Sequence, residues 1–259
     1  QRLPMYSWYS RAGWPAGRGR ATVAPRARAA VALTCDADPT HERPVMALKA
    51  AVLPVTPLQQ NCSILWDDQD RRACVIDPGG EADRIAAALR ELDLTAERIL
   101  LTHGHIDHAG GAAALAEALG VPIWGPAIED RFLLDGLAAQ GRAYGIPEAR
   151  AVTPDRFLAE GDSVPIAGLD FAVLHCPGHT PGHIVFVSTA ARVAIVGDVL
   201  FRGSIGRTDF PYGDTEALIT AIRTKLFPLG DEMVFLCGHG PGGTFGEERR
   251  SNPFVGEGR

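Results

Sequence analysis

The chain has 259 residues, 46% hydrophobic and 22% charged, with 25 basic and 31 acidic side chains for a formal net charge of −6. This length and apolar content support one domain with a substantial core and exclude a small disulfide scaffold, a fibre or a largely disordered chain. The charge is uneven: residues 1–34 hold six Arg and no acid, whereas residues 46–259 hold 18 basic and 28 acidic residues, a net of −10 that argues against a broad basic nucleic-acid-binding face.

Residues 1–45 read as a disordered or non-native extension, and residues 46–259 as the working domain. The opening is either sequence upstream of a start at Met46, an organelle-targeting peptide with Arg, Ala and Ser but few acids, or a loose tail. Pro15, Pro25, Pro39 and Pro44 oppose a long helix there. No compact apolar core with a cleavage site marks a secretory signal, and no run of eighteen apolar residues occurs. A cytoplasmic protein without membrane association is expected, with organelle import the alternative. Five cysteines (Cys35, Cys62, Cys74, Cys176 and Cys237) form no CxxC pair, which excludes finger-type zinc. Cys74, in an apolar strand, is expected to pack as a small hydrophobe, and so are Cys176 and Cys237. Cys176 and Cys237 flank histidine motifs and are alternatively site-wall residues.

In chain order, the body opens with an apolar run over 47–55, interrupted by Pro54, then strands over 62–66 and 73–76 around an Asp67-Asp68 turn. Ile85, Ala86, Leu89 and Leu92 repeat at helical spacing, predicting a helix over 81–92. A buried strand over 98–101 runs straight into Thr102-His103-Gly104-His105-Ile106-Asp107-His108. A helix over 112–119 stops at Gly120, and a short strand covers 121–124. Helical pieces follow over 128–134 and 137–143. Strands over 162–166 and 169–175 meet at Ala167-Gly168, and a second pair spans 184–187 and 191–196. A helix over 215–226 stops near Pro228, and a last strand over 233–236 ends at Cys237-Gly238-His239-Gly240. The order predicts two mixed sheets with helices outside them, an α+β domain.

The placement of histidine is the main chemical signal. His103, His105 and His108 fall within six residues, with Asp107 among them; His175, His179 and His183 follow, and His239 comes late. These groups lie in Gly-bearing turns after apolar strands, where a firm backbone can aim several side chains at one point. Four donors in one HxHxDH run are not satisfied cheaply without a cation. One zinc-like ion takes about four ligands. His103, His105, His108, His179 and His239, with Asp107 and Asp198, exceed that number, and two ions sharing a carboxylate would use them all. His175 reads as packing or as support behind a ligand. His183 reads as support behind a ligand or as a substrate contact, with structural hydrogen bonding the alternative.

On these motifs the chain resembles the metallo-beta-lactamase superfamily, and within it the short single-domain form of glyoxalase II, hydroxyacylglutathione hydrolase. The resemblance covers about residues 50–255. It includes Gln60-Asn61-Cys62, Asp77-Pro78-Gly79-Gly80, His103 to His108, Gly178-His179-Thr180-Pro181-Gly182-His183, Gly197-Asp198, Gly203 to Phe210 and Gly238-His239-Gly240. It implies a four-layer αββα sandwich with the site at one edge between the sheets. It implies a first metal site of His103, His105 and His179 and a second of Asp107, His108 and His239, with Asp198 bridging. The cofactors implied are two divalent ions, zinc foremost, with iron or manganese also possible for this N/O set. The implied reaction is attack of a metal-bridging hydroxide on the thioester of S-(2-hydroxyacyl)glutathione, with Asp107 orienting the nucleophile and holding its proton.

The helical glutathione-binding domain of the longer family members is not found after His239 in this sequence. Arg207, Tyr144 and Arg142 are the candidate substrate contacts, with an Arg207–Asp209 salt bridge the alternative for Arg207. The expected partner is a small glutathione thioester, with neither nucleic acid nor membrane, in a monomer or homodimer. The rivals are an iron-dependent persulfide dioxygenase, which shares a stretch like Gly206 to Phe210 but typically lacks histidine at the His183 position, a lactonase or beta-lactamase, and a non-enzymatic metal-binding protein.

Overall fold

The structure, a computed structural model, describes residues 28–32 and 48–258. Six strands form the first sheet: β1 (Arg28–Ala32), β2 (Leu48–Val55), β3 (Gln60–Asp67), β4 (Arg72–Ile76), β5 (Thr95–Leu100) and β6 (Ile123–Trp124), in that order. The pairs β2–β3 and β3–β4 are antiparallel, and β4–β5 and β5–β6 are parallel. Parallel pairing needs crossovers, and α1 (Ala82–Glu91) and α3 (Ala112–Leu119) supply them. Ile85, Leu89 and Leu115 on these helices are buried with Ile64, Val75 and Ile99 from one face of the sheet.

The second sheet contains β7 (Ser163–Ile166), β8 (Leu169–His175), β9 (Ile184–Ser188), β10 (Val193–Gly197), β13 (Val234–Cys237) and β14 (Gly243–Thr244), in the order β14-β13-β10-β9-β8-β7, while β11 (Leu200–Phe201) and β12 (Ser204–Ile205) pair as a separate two-stranded ribbon. β9 and β10 are buried throughout, as continuous apolar runs in a sheet covered on both faces must be. β7 and β8 join at Ala167 and Gly168, both at positive φ (51° and 73°), as a tight two-residue hairpin of matching twist demands. Between the sheets, Leu65, Cys74 and Leu100 meet Phe171, Val173, Phe186 and Ile195. On the far face of the second sheet, α6 (Thr215–Ala221) and α7 (Phe245–Ser251) bury Leu218 and Phe245. The layers are therefore helix, sheet, sheet, helix, as the resemblance implies.

Several elements differ from the sequence reading. Arg28–Ala32, inside the opening read as disordered or non-native, pairs antiparallel with β2 at the sheet edge, where β2 would otherwise present unpaired backbone. The rest of that opening, including Cys35, His41 and the start-site and targeting readings, lies outside the described residues. The strand β2 runs through Pro54, which pairs with Asn61. The helix expected over 215–226 is α-helical only to Ala221, then widens into a π turn over Ile222–Leu226 and a 3-10 turn over Phe227–Leu229. The helix α7 was not expected. Thr244 accepts from Glu247 N and the Glu247 side chain accepts from Thr244 N, a capping box that starts it. No helix among the described residues is long and apolar enough to cross a membrane.

Candidate metal centre

Buried polar residues gather where the two sheets meet. His103, His108, His179, His183, Asp77 and Asp198 are each less than a tenth exposed. Asp77 follows β4, and His103 to His108 follow β5 and run into the single turn α2 (Ile106–Ala109). His179 and His183 lie in the β8–β9 connection, Asp198 follows β10, and His239 follows β13. Ile184 N donates to Thr102 O (2.8 Å) and Asn61 N to Gly238 O (2.7 Å), so backbone hydrogen bonds stitch the two sheets together beside the site.

Two triads face each other. The donor atoms of His103, His105 and His179 lie within 4.8 Å of one another, as do those of Asp107, His108 and His239. Asp198 stands between them. Its Oδ1 is 3.3 Å from His108 Nε2, and its Oδ2 is 3.5 Å from His179 Nε2 and 3.6 Å from His239 Nε2. Asp107 Oδ2 is 3.1 Å from His239 Nε2. A Cβ on Gly238 would overlap the Asp198 carboxylate and the His108 ring, so only glycine lets the β13 loop come this close.

The outer nitrogens of four of the five imidazoles are held by protein groups. Thr102 Oγ1 donates its one proton to Asp77 Oδ2 (2.7 Å) and therefore accepts from His103 Nδ1–H (3.0 Å). His108 Nδ1 donates to Asp77 Oδ2 (3.0 Å), and His179 Nδ1 to Arg207 O (2.8 Å). His105 Nε2 pairs with Tyr212 Oη (2.9 Å). His103 Nε2 and His105 Nδ1 face each other 3.1 Å apart, and when Tyr212 Oη accepts from His105 Nε2–H both are lone pairs that a cation between them would satisfy. Buried His108 Nε2, His179 Nε2 and Asp198 Oδ1 also lack any hydrogen-bond partner. Orphaned buried atoms of this kind cost about 1–3 kcal/mol each, and a shared cation removes the cost. The N/O donor set without thiolate suits zinc, iron or manganese. A third grouping, Asp77 with His103 and His108, needs no ion, because Asp77 already accepts from Thr102 N, Thr102 Oγ1 and His108 Nδ1.

Electrostatics agree with this donor set. Burial and the neighbouring imidazoles hold His103 and His183 well below the usual histidine range and bring His105 down to about 3, so these rings are neutral. Burial opposes the charge on Asp198 and Asp107, but His108 and His239 outweigh it and lower both carboxyls. The same carboxylates raise His108 and His239 against burial. The cluster thus demands positive charge at one point, which divalent cations supply while leaving the imidazoles neutral.

The structure brings together all seven residues proposed from sequence as ligands. It places the supporting candidates elsewhere. His183 is fully buried behind Asp198, whose N–H donates to His183 Nε2, which is the supporting position of the two read for it rather than an exposed contact. His175 Nε2 donates to Pro181 O (2.7 Å), a structural contact. Arg207 is exposed at the mouth, paired with Asp209 through two hydrogen bonds (2.7 and 2.8 Å) and stacked over Phe210 (4.6 Å). Tyr144, at the end of α5 (Leu137–Tyr144), is half exposed. Arg142 is exposed and makes no hydrogen bond or ion pair among the described residues. Burial raises the Cys74, Cys176 and Cys237 thiols to about 12, so these cysteines pack rather than react.

Asp77 and Thr102 stand in motifs quoted from the sequence but carry no role there, although an acid directly after an apolar strand was a usable signal for Asp77. An aromatic wall at the mouth escaped the reading of the sequence. Phe210 and Tyr212 stack (5.3 Å), Tyr212 meets the exposed Phe132 of α4 (Arg131–Asp135) at 5.3 Å, and Phe210 lies 4.9 Å from His105. Nothing in the spacing of these three residues announces a common surface.

An αββα sandwich with a candidate two-metal site between its sheets defines a metal-dependent hydrolase of a known architecture. The chain belongs to the metallo-beta-lactamase superfamily, whose family model matches residues 55–239. It is 52% identical over 205 residues to the hydroxyacylglutathione hydrolase GloC of Haemophilus influenzae, across 79% of this chain and 96% of that protein. Among solved structures, the BLEG-1 B3 metallo-beta-lactamase is 36% identical with a TM-score of 0.73, covering 80% of this chain and 99% of its own. The protein TTHA1623 in a di-iron-bound form is 40% identical with a TM-score of 0.70, covering 78% and 100%.

Proposed function

We propose that this hydrolase cleaves the thioester of an S-(2-hydroxyacyl)glutathione, such as S-D-lactoylglutathione, to a 2-hydroxy acid and glutathione. The observation that carries the two-metal chemistry is Asp198, whose carboxylate oxygens face both triads at 3.3–3.6 Å. The likeness to GloC supports the thioester. In this reading His103, His105 and His179 hold one cation, Asp107, His108 and His239 the other, and Asp198 both. When bound, the cations supply a water acidified to near neutral pH and a Lewis acid for the carbonyl oxygen.

The remaining work falls to the chain. Asp107 accepts the proton of the attacking water and keeps it oriented, with His239 at 3.1 Å fixing the carboxylate. The wall of Phe132, Phe210 and Tyr212 takes the apolar part of the substrate and excludes water on one side. Arg207 and Tyr144 meet a substrate carboxylate at the mouth, locally offsetting the acidic body. A thiolate leaves without an acid, since a thiol has a reference pKa of about 8.5.

A second reading, an iron-dependent persulfide dioxygenase, draws on the Gly206 to Phe210 stretch, where Arg207 O accepts from His179 Nδ1 and Phe210 lies 4.9 Å from His105. The two are separated by assaying metal-reconstituted protein for S-D-lactoylglutathione cleavage beside oxygen uptake on glutathione persulfide. Thioester cleavage without oxygen uptake is expected. Oxygen uptake without cleavage would sink the hydrolase reading.

A further inference from the structure

Asp130 belongs to neither triad, yet it is fully buried at the end of the 3-10 turn Ile128–Asp130. Its carboxylate accepts three hydrogen bonds. Gly104 N (2.8 Å) and Thr180 Oγ1 (2.7 Å) donate to Oδ2, and Gly182 N (2.6 Å) donates to Oδ1. Gly104 separates His103 from His105, and Thr180 directly follows His179. One side chain therefore ties the loop bearing two members of the first triad to the loop bearing the third. These loops leave different sheets.

The backbone approaches are equally tight. A Cβ on Gly104 would come within 2.8 Å of Leu133 Cβ, and one on Gly182 within 2.5 Å of Asp130 N. Both histidine loops thus carry glycine where the Asp130 segment packs against them. Ala127 N donates to Gly182 O (3.1 Å) and completes the join. Among the described residues, Asp107, His108 and His239 make no hydrogen bond to Asp130. The second triad is held instead by Asp77 behind His108 and by Asn61, which donates to Cys237 O and Gly240 O on either side of His239.

We propose that Asp130 is a positioning residue that sets the distance between His103/His105 and His179, and through it the cation affinity of the first triad but not of the second. The proposal rests on the ligand assignment above and is independent of the substrate. An acceptor-only carboxylate matches three donors converging from two loops, whereas the isosteric amide of asparagine must turn an N–H toward at least one of them.

The test is Asp130→Asn placed in two backgrounds, His239→Ala, which leaves the first triad intact, and His179→Ala, which leaves the second. Each metal-free protein is titrated with cobalt(II), read by its visible absorption. The expected result is cobalt binding weakened by about 10–100-fold in the first background and nearly unchanged in the second, the range typical of lost partners behind metal ligands. Thr180→Val, which removes one of the three hydrogen bonds, shifts the first background in the same direction by less. Unchanged first-triad affinity with a lowered melting temperature would make Asp130 a simple brace and overturn the proposal. Equal weakening at both triads would overturn it too. If Asp130→Asn fails to melt cooperatively, unchanged first-triad affinity in Thr180→Val overturns it. Absence of cobalt binding by the unsubstituted protein would instead remove the ligand assignment, and the positioning role with it.

Discussion

The backbone N–H of Asp198 donates to Nε2 of His183 at 3.0 Å. His183 also stacks on His103, with ring centroids 4.6 Å apart and planes 18° apart. It therefore supports a member of the first triad and the carboxylate between the triads at once, from a position that solvent does not reach. His183→Ala should lower kcat about 10–100-fold through displaced ligands while KM changes little. The cavity should cost about 2–4 kcal/mol of stability, within the range for large-to-small core changes. Steady-state kinetics with thermal melts check this, and a raised KM at unchanged kcat would mean that the ring touches substrate after all.

Replacing Asp198 itself by alanine should remove bound metal and activity together, because its two oxygens are the groups common to both triads. Elemental analysis beside the thioester assay reads the outcome. A variant retaining two metals per chain and full turnover would break the bridging assignment.

Asp77 should behave differently. Asp77→Ala strips the partners from Thr102 N, Thr102 Oγ1 and His108 Nδ1. Three newly unsatisfied buried donors, at about 1–3 kcal/mol for each group, predict a loss of about 3–9 kcal/mol. Metal affinity at the second triad should also fall, by about 10–100-fold. Denaturant unfolding and metal titration separate these effects, and wild-type affinity in a destabilised protein would reduce Asp77 to a fold residue.

At the mouth the expected signature is kinetic. The Arg207–Asp209 pair is about two-thirds exposed on both sides. Arg207→Ala should therefore change stability by less than about 1 kcal/mol, the usual ceiling for such pairs. It should raise KM for an anionic thioester severalfold and flatten the dependence of KM on salt. Asp209→Ala, which frees the guanidinium, should leave KM equal or lower. Identical KM values in both variants would leave Arg207 without a role in binding.

The candidate ligand residues were legible because most of them are local. HxHxDH and Gly-His-Gly announce themselves within a few positions, each after an apolar run that becomes β5 or β13. Most strands were legible for the same reason. What lies behind the ligands was not. Asp130 meets partners 26, 50 and 52 residues away, and no spacing rule links them. Proximity of His183 to His179 could not say which way each ring turns; burial decides it. The Thr244–Glu247 capping box was readable, but a seven-residue helix with two glycines beside its start shows little periodicity. The strand β1 has no alternation of its own and owes its existence to the open edge of β2.

The donors of the two triads come from both sheets, so a pair of cations held there spans the seam. Such cations can bind with full strength only when the sheets are docked, and their binding free energy then adds to the folding free energy. At a free metal concentration one hundred times Kd, each site would contribute about 2.7 kcal/mol. Thermal stability would then be tied to the free metal of the surroundings, and a chelator should lower the melting temperature without altering a single core contact. Loaded with metal, the centre would act as a clasp whose tension follows the supply of ions.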